Sequence, residues 1–287
     1  MAAMEEWPTG RIERVAPLVR RILAPNPSPF TYTGTQSFIV GEGEVAVIDP
    51  GPDDAGHVEA LVEALAGERI AWILCTHTHR DHSPASRALA AATGAPIAGC
   101  APLSLDDEGG RSDEAFDADY RPERVLGDGE RITGPGWTLE AVATPGHTSN
   151  HLCYALRETG ALFCGDHVMG WSTTIVAPPD GDMADYMRSL DKLAARADRI
   201  YFPAHGPAIE DPQAHLRRLI AHRRGRETQI IGQLEAGEGR TGAMVAAMYH
   251  DVDPRLHPAA ERSVLAHLLD LEARGLARRD GAHWSPA

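Results

Sequence analysis

Short apolar runs separated by turn residues predict that β-strands dominate the larger, N-terminal part of the chain. The runs at residues 37–40 and 45–49 flank the polar segment 41–44, a spacing typical of a β-hairpin. Residues 151–156 and 161–164 indicate a second hairpin. Further strands are predicted at residues 18–23, 70–75, 137–143 and 200–202.

Apolar residues at helical spacing predict helices between these strands. Val58, Leu61, Val62 and Leu65 occur at helical spacing within residues 57–66, so this helix is expected to cover one face of a sheet. Further helices are predicted at residues 85–92, after Pro84, and at residues 183–197. This mixture of strands and helices predicts the α/β class.

The chain after residue 210 has a different, mainly helical pattern. A long helix is predicted at residues 211–234, followed by two shorter ones at residues 243–249 and 258–273. Residues 276–284 are expected to form a short hairpin that turns at Asp280 and Gly281. We therefore expect two domains, residues 1–210 and residues 211–287.

Composition is that of an ordinary soluble globular protein, with 43% hydrophobic and 24% charged residues among 287. The net charge of −14 disfavours non-specific attraction to nucleic acid, although a local basic patch could overcome it. No apolar run approaches the length of a membrane span, and acidic residues stand where a signal peptide needs positive charge. These features predict a cytoplasmic protein with no membrane partner.

The four cysteines are scattered and form no CxxC pair, so the sequence indicates neither a disulfide framework nor a zinc knuckle. Most of them are expected to be small buried hydrophobic residues on strands. The four are Cys75, Cys100, Cys153 and Cys164.

Three histidines and an aspartate lie close together directly after the strand predicted at residues 70–75. His77 and His79 are two residues apart, so in extended backbone they project to one side and can share an ion. Asp81 and His82 follow where the chain turns and can face a second ion. Imidazole and carboxylate ligands suit Zn²⁺, with Mn²⁺ or Fe²⁺ as weaker candidates. The alternative interpretation is a polar loop that is merely rich in histidine.

Three further ligand-type residues occur at predicted strand ends beside glycine. His147 lies in the motif Thr-Pro-Gly-His-Thr, Asp166 follows Gly165, and His205 precedes Gly206. A site that is built on loops above a sheet draws its ligands from such positions.

These four motifs, in this order, resemble the signature of the metallo-β-lactamase superfamily of binuclear hydrolases. The resemblance implies an αββα sandwich over roughly residues 10–210, with two packed sheets and the metals at their common edge. It also implies that one metal is held by His77, His79 and His147, and the other by Asp81, His82 and His205. Asp166 would bridge the two ions.

A narrower resemblance covers nearly the whole chain. The segments 26–31, 34–35, 183–190 and 222–224, together with Arg80, are similar to a lactamase-β-like group whose animal member is a mitochondrial single-strand endoribonuclease. Thr78 and His167 depart from that group's pattern.

The order of elements after residue 234 resembles the winged-helix appendage of the same group. Winged helices can bind nucleic acid, but the acidic residues Glu261, Asp270 and Glu272 favour a packing or homodimer role.

The expected mechanism follows from charge. Two divalent ions that share a water lower its pKa enough to supply hydroxide, and they polarise the bond under attack. Asp166 would hold the metals close together, and Asp81 could orient the hydroxide through its second oxygen, so both are predicted catalytic residues. His151 and His167 are candidates for protonating the leaving group, although a supporting role is favoured for each.

The substrate class stays open between three alternatives. A phosphodiesterase acting on single-stranded RNA is the first, and a hydrolase of small esters, thioesters or lactams is the second. A metal-bearing binding or electron-transfer module is the third. For RNA, the phosphate contacts would come from the arginines of the predicted helix 211–234, unless these form a solvated face: Arg217, Arg218, Arg223, Arg224 and Arg226. The acidic segment 105–119 is interpreted as a solvated loop, with a flap over the site as the alternative.

Overall fold

The computed structural model describes residues 7–103 and 116–287. Of the acidic segment at residues 105–119, which is expected to be a solvated loop, residues 105–115 therefore lie outside the described residues. Clustering of contacts divides the chain into two units. The first holds the chain up to Thr144 together with Asn150–Ser172 and Ala197–Pro212, and the second holds Pro145–Ser149, Thr173–Arg196 and Gln213–Ala287. The domain boundary expected near residue 210 stays a prediction.

Two sheets form the first unit. The strands are β1 (Glu13–Ala16), β2 (Val19–Leu23), β3 (Gln36–Glu42), β4 (Glu44–Ile48), β5 (Arg69–Cys75), β6 (Ile97–Gly99), β7 (Arg124–Val125), β8 (Arg131–Gly134), β9 (Trp137–Ala143), β10 (Leu152–Leu156), β11 (Ala161–Gly165) and β12 (Ile200–Pro203). Strands β1 to β7 form a seven-stranded sheet in chain order, and a five-stranded sheet has the order β12-β11-β10-β9-β8. The predicted hairpins are β3–β4 and β10–β11, both antiparallel.

The core lies between the two sheets. Phe38 of β3 packs with its ring centroid 5.1 Å from that of Phe163 in β11 and 5.6 Å from that of Phe202 in β12. All three side chains are buried in one apolar cluster that both sheets supply. The expectation of two sheets packed face to face is confirmed, because each contributes one apolar face to this layer.

Helices α1 (Ala55–Ala64) and α2 (Ala85–Thr93) accompany the seven-stranded sheet. Val58, Leu61 and Leu65 enter the core cluster, as their helical spacing predicts, but Val62 of the same set is 36% exposed. The helix α1 begins before the predicted residue 57 because the carboxylate of Asp54 caps it, accepting a hydrogen bond from the backbone N–H of His57 at 2.7 Å.

The second unit contains α3 (Met183–Ala194), α4 (Pro212–Glu235), α5 (Thr241–Met248), α6 (His257–Ala273) and the hairpin β13 (Ala277–Asp280)–β14 (His283–Pro286). Leu268, Trp284 and Met244 share one buried cluster, so α5, α6 and the hairpin pack on one another. Asp280 pairs with His283 across the turn, as the Asp-Gly signal predicts. No helix of the described residues combines the length and apolar character needed to cross a membrane.

All four cysteines are buried, and none of them forms a disulfide. Cys75 and Cys164 lie on strands β5 and β11, and Cys153 lies on β10. Burial raises the pKa of the Cys100 thiol well above its ordinary value, so the thiol stays neutral and behaves as a small apolar side chain.

Candidate metal centre

The predicted ligand-type residues follow the ends of four strands. His77 comes directly after β5, His147 after β9, Asp166 after β11 and His205 after β12. Strands β11 and β12 are parallel neighbours, so Asp166 and His205 necessarily leave the sheet at the same edge.

The structure brings all seven residues into two groups. In one group, potential ligand atoms of His77, His79, His147 and Asp166 all lie within 4.8 Å of one another. In the other group, Asp81, His82 and His205 meet the same distance limit. This His/Asp cluster is suited to binding two metal ions.

The tautomer of His77 follows from its neighbours. The Thr76 hydroxyl donates its single proton to Oδ2 of Asp49 at 2.8 Å. It must therefore accept from Nδ1 of His77, which lies 3.0 Å away. The lone pair of His77 is then on Nε2, and that atom faces Nδ1 of His79 at 2.8 Å. Two ring nitrogens that converge in this way are arranged to share a cation.

His82 and His205 are fixed in the same manner. Nδ1 of His205 donates to the carbonyl of Gly34 at 3.2 Å, and Nδ1 of His82 lies 3.0 Å from the Asp49 carboxylate. Both imidazoles are buried, and the Nε2 atom of each has no hydrogen bond of normal geometry. A buried ring nitrogen without a hydrogen-bond partner is costly, so these two atoms fit a bound metal ion.

Asp166 connects the two groups. It belongs to the group of His77, yet its Oδ1 lies 3.5 Å from Nε2 of His82 and 3.3 Å from Nε2 of His205. A carboxylate in this place can offer oxygens to both groups at once.

The electrostatics of the centre favour cations. Burial alone raises the pKa of Asp81 and of Asp166, but the imidazoles of His82 and His205 hold both pKa values well below the ordinary range. Burial lowers the pKa of His205, yet the carboxylates of Asp166 and Asp81 outweigh it and raise the pKa to about 10. The centre therefore draws positive charge to the place where Nε2 of His205 meets two carboxylates.

Asp49 contacts residues of the candidate centre, although the sequence did not single it out. Besides the contacts already described, its Oδ1 accepts from the backbone N–H of Thr76 at 2.7 Å. Its backbone φ is 49°, a left-handed conformation at the end of β4 that fixes the direction of the carboxylate. The only sequence signal was an aspartate between an apolar strand and Pro50-Gly51, which also describes an ordinary turn.

His151 and His167 are both buried. Nε2 of His151 accepts from the backbone N–H of Asp166 at 3.2 Å, so its proton is on Nδ1, which lies 2.9 Å from the Thr144 hydroxyl. His151 therefore contacts the backbone of Asp166, and the supporting role expected for it stays a prediction. The rings of His151 and His167 are 5.8 Å apart between centroids.

The five arginines of α4 differ in their surroundings. Arg217, Arg218 and Arg224 are exposed, and Arg226 is half-buried with a hydrogen bond to the carbonyl of Met248. Arg223 is buried, so an external phosphate could reach it only if the surrounding side chains moved.

Two sequence families match the chain. Residues 31–205 match the metallo-beta-lactamase superfamily, and residues 241–284 match the beta-lactamase associated winged helix domain.

Curated relatives span most of the chain. The beta-lactamase-like protein 2 homolog of Drosophila melanogaster is 31% identical over 280 residues, which cover 93% of this chain and 92% of that protein. The atrochrysone carboxyl ACP thioesterase of Aspergillus fumigatus is 33% identical over 228 residues, which cover 78% of this chain and 67% of that protein.

Solved structures share the fold. A beta-lactamase domain protein from Burkholderia ambifaria superposes with a TM-score of 0.81 at 21% identity, covering 97% of this chain and 94% of that one. A protein solved in a di-iron-bound form gives a TM-score of 0.53 at 27% identity, covering 66% of this chain and 93% of that one.

Proposed function

The chain belongs to the metallo-β-lactamase superfamily of hydrolases, and from that premise we propose that it hydrolyses its substrate at a dinuclear metal centre. The proposed ligands are His77, His79 and His147 for one ion, Asp81, His82 and His205 for the other, and Asp166 for both. The observation that carries the proposal is the position of Asp166, which is a member of one group and lies 3.3 Å from Nε2 of His205 in the other.

We propose Zn²⁺ as the native metal because imidazole and carboxylate ligands suit it well. Fe²⁺ and Mn²⁺ accept the same ligands, and the solved di-iron relative shows that the fold holds iron in at least one protein. Elemental analysis of protein purified without chelator distinguishes the three metals.

When bound, two such ions supply a Lewis acid and an activated water at neutral pH. The protein's own contribution is to orient the reacting groups and to exclude solvent. Asp166 is 8% exposed, whereas the side chain of Asp81 is 26% exposed and lies on the more open side of the centre. Asp81 is therefore the carboxylate proposed to orient the attacking water and to accept its proton, and Asp166 is proposed to keep the two groups together.

For the substrate, we propose first a phosphodiester in single-stranded RNA. Asp166 would hold two metal ions near each other, and the Lewis-acid chemistry that such ions supply would suit in-line displacement at phosphorus. An unpaired strand bends more easily than a duplex toward a centre at the edge of a sheet. The exposed Arg217, Arg218 and Arg224 are the proposed phosphate contacts.

The second candidate substrate is an acyl thioester. It is favoured by one specific observation, namely that a relative with 33% identity is named as an acyl carrier protein thioesterase. Acyl transfer needs one Lewis acid and one activated water, so the same centre is sufficient for it. A lactam is expected to be turned over slowly at most.

The test compares single-stranded RNA, duplex RNA, an acyl thioester and a lactam as substrates of the metal-loaded protein. Wild type is measured beside Asp166→Ala and a matched control, Asp251→Ala, whose side chain is 88% exposed. Turnover of one substrate class by wild type and the control, with loss in Asp166→Ala, supports the proposal and assigns the class. Equal turnover by all three proteins contradicts it.

A homodimer and a cytoplasmic location are further proposals for this protein. Light scattering during gel filtration tests the homodimer, and fractionation of cells that express the full chain tests the location.

A further inference from the structure

Arg223, in helix α4 of the second unit, carries a buried charge. Its side chain is 3% exposed and donates a hydrogen bond to the backbone carbonyl of Thr174. The guanidinium also lies 5.1 Å from the centroid of the Tyr186 ring. Burying a guanidinium is unfavourable unless its rigid, planar group meets well-placed partners, and here these are a carbonyl oxygen and an aromatic face.

Thr174 adjoins the residue that orients His147. The carbonyl of Ile175, the next residue, lies 2.7 Å from Nδ1 of His147. A carbonyl can only accept, so Nδ1 carries the proton and the lone pair of the ring is on Nε2. This is the tautomer that a metal-binding histidine uses when it binds through Nε2.

Tyr186 supports the loop before His147 from another side. A Cβ atom added to Gly146 would be 2.3 Å from Cα of Tyr186, so the two backbones are in direct contact. On the same helix, the hydroxyl of Ser189 donates to the carbonyl of Pro145 at 2.7 Å. The loop therefore lies against the N-terminal half of α3.

We propose that Arg223 is a positioning residue for His147. It links the two supports of that imidazole, since it binds the carbonyl of Thr174 and covers the ring of Tyr186. The inference rests on the proposed function, in which His147 binds metal. His205 is the last proposed ligand, so cutting the chain near Asp211 would leave every proposed ligand in place. The cut would remove Arg223, however, and is therefore expected to weaken the centre.

The test measures metal affinity and the state of His147 in full-length variants. Arg223→Met removes the charge at similar length, and Arg223→Lys keeps a charge but lacks the planar fork. Arg255→Met is the control, because that arginine belongs to the same unit and its side chain is 88% exposed. Chelator competition gives the affinity for each metal equivalent. ¹⁵N NMR of the metal-free protein reports the Nδ1 proton of His147.

In Arg223→Met we expect one of the two metal equivalents to bind about 10- to 100-fold more weakly, as for other residues that hold a ligand in place. The Nδ1 resonance of His147 should shift or broaden in the same variant. Arg223→Lys should show a smaller loss, and it serves as the test if Arg223→Met does not fold. Wild-type affinity for both equivalents with an unchanged His147 resonance, in whichever of these variants folds, would overturn the inference.

The readouts separate this inference from the proposed function. If wild type binds two metals but hydrolyses none of the substrates, the proposed reaction fails while the affinity and NMR results still decide the role of Arg223. A uniform loss of both equivalents together with the native fold would mean that Arg223 stabilises the unit in general, and it would overturn the specific role.

Discussion

Oδ1 of Asp166 lies 3.3 Å from Nε2 of His205, and the two residues follow neighbouring parallel strands. The distance is that of an ion pair, and each of the two atoms is buried in the protein. Parallel strands bring their carboxyl ends to one edge, so the register of β11 and β12 creates this contact. Because the carboxylates raise the pKa of His205 to about 10, this imidazole is protonated without metal, and a metal ion would take the place of that proton.

Replacing Asp81 with alanine should weaken one metal site selectively. Among the described residues, Asp81 belongs to the group of His82 and His205, whereas Asp166 belongs to the group of His77 and also lies beside His205. We expect Asp81→Ala to retain about one metal equivalent after dialysis against a weak chelator. Elemental analysis per chain measures this, and simultaneous loss of both equivalents would show that the ligand assignment is wrong.

Asp49 should contribute both to metal affinity and to the stability of the folded protein. It accepts hydrogen bonds from Thr76 and holds Nδ1 of His82, so Asp49→Asn is expected to weaken metal binding about 10- to 100-fold. Leaving buried donors without a good acceptor should also lower the free energy of unfolding by about 1–3 kcal/mol. Chelator competition and urea unfolding measure the two effects. The exposed Asp53, changed to asparagine, is the control, and equal behaviour of the two variants would refute the prediction.

Gly34 should resist substitution for a steric reason. A Cβ at this position would lie 2.2 Å from the carbonyl oxygen of Ala24, and the backbone φ is 133°. The same residue supplies the carbonyl that orients His205. Gly43 also has a positive φ but open space around it, so it isolates the backbone effect.

We expect Gly43→Ala to cost about 1 kcal/mol of unfolding free energy and Gly34→Ala clearly more, with weaker metal binding only in the latter. Urea unfolding of both variants checks the order. Equal losses of unfolding free energy in the two variants would show that the backbone moves enough to relieve the close contact with Ala24.

His57 should make the stability of the protein depend on pH. Burial lowers the pKa of this imidazole to about 4, and its Nε2 lies 2.8 Å from the hydroxyl of Ser37. In the unfolded chain the pKa is about 6.5, so the unfolded state takes up the proton first. The free energy of unfolding is therefore not reduced by His57 above about pH 6.5. It decreases as the pH falls from about 6.5 toward 4, because the unfolded state binds the proton more tightly.

Between pH 7.5 and pH 5.5, His57 alone should therefore account for a loss of about 1 kcal/mol. Urea unfolding of metal-free wild type and His57→Gln at both values isolates this contribution. The variant should lose less stability than wild type over this interval, and an equal loss would exclude the assignment to His57.

Much of the site could be predicted from the sequence because its residues are local and unusual. His77, His79, Asp81 and His82 lie within six residues, and His147, Asp166 and His205 stand beside glycine at strand ends. The structure places all seven in two groups, although their role as ligands stays a proposal.

Asp49 and Arg223 could not be predicted because their partners are distant in the chain. Asp49 is 27 residues from Thr76, and Arg223 is 49 residues from Thr174. In the sequence, Asp49 has the features of a turn aspartate, and Arg223 stands among four other arginines of the same helix. Only the folded chain distinguishes a buried guanidinium from a solvated one. The observed start of α1 differs from the predicted one for a similar reason, because the cap at Asp54 depends on side-chain geometry.

The metal content of the wild-type protein tests the central claim most directly. Protein purified without chelator, and the same protein reconstituted with Zn²⁺ and dialysed, would be measured by elemental analysis and by native mass spectrometry. The dinuclear centre predicts two metal ions per chain in the reconstituted protein, and fewer in Asp166→Ala. A value below one ion per chain in folded wild type, with all seven residues intact, would contradict the account.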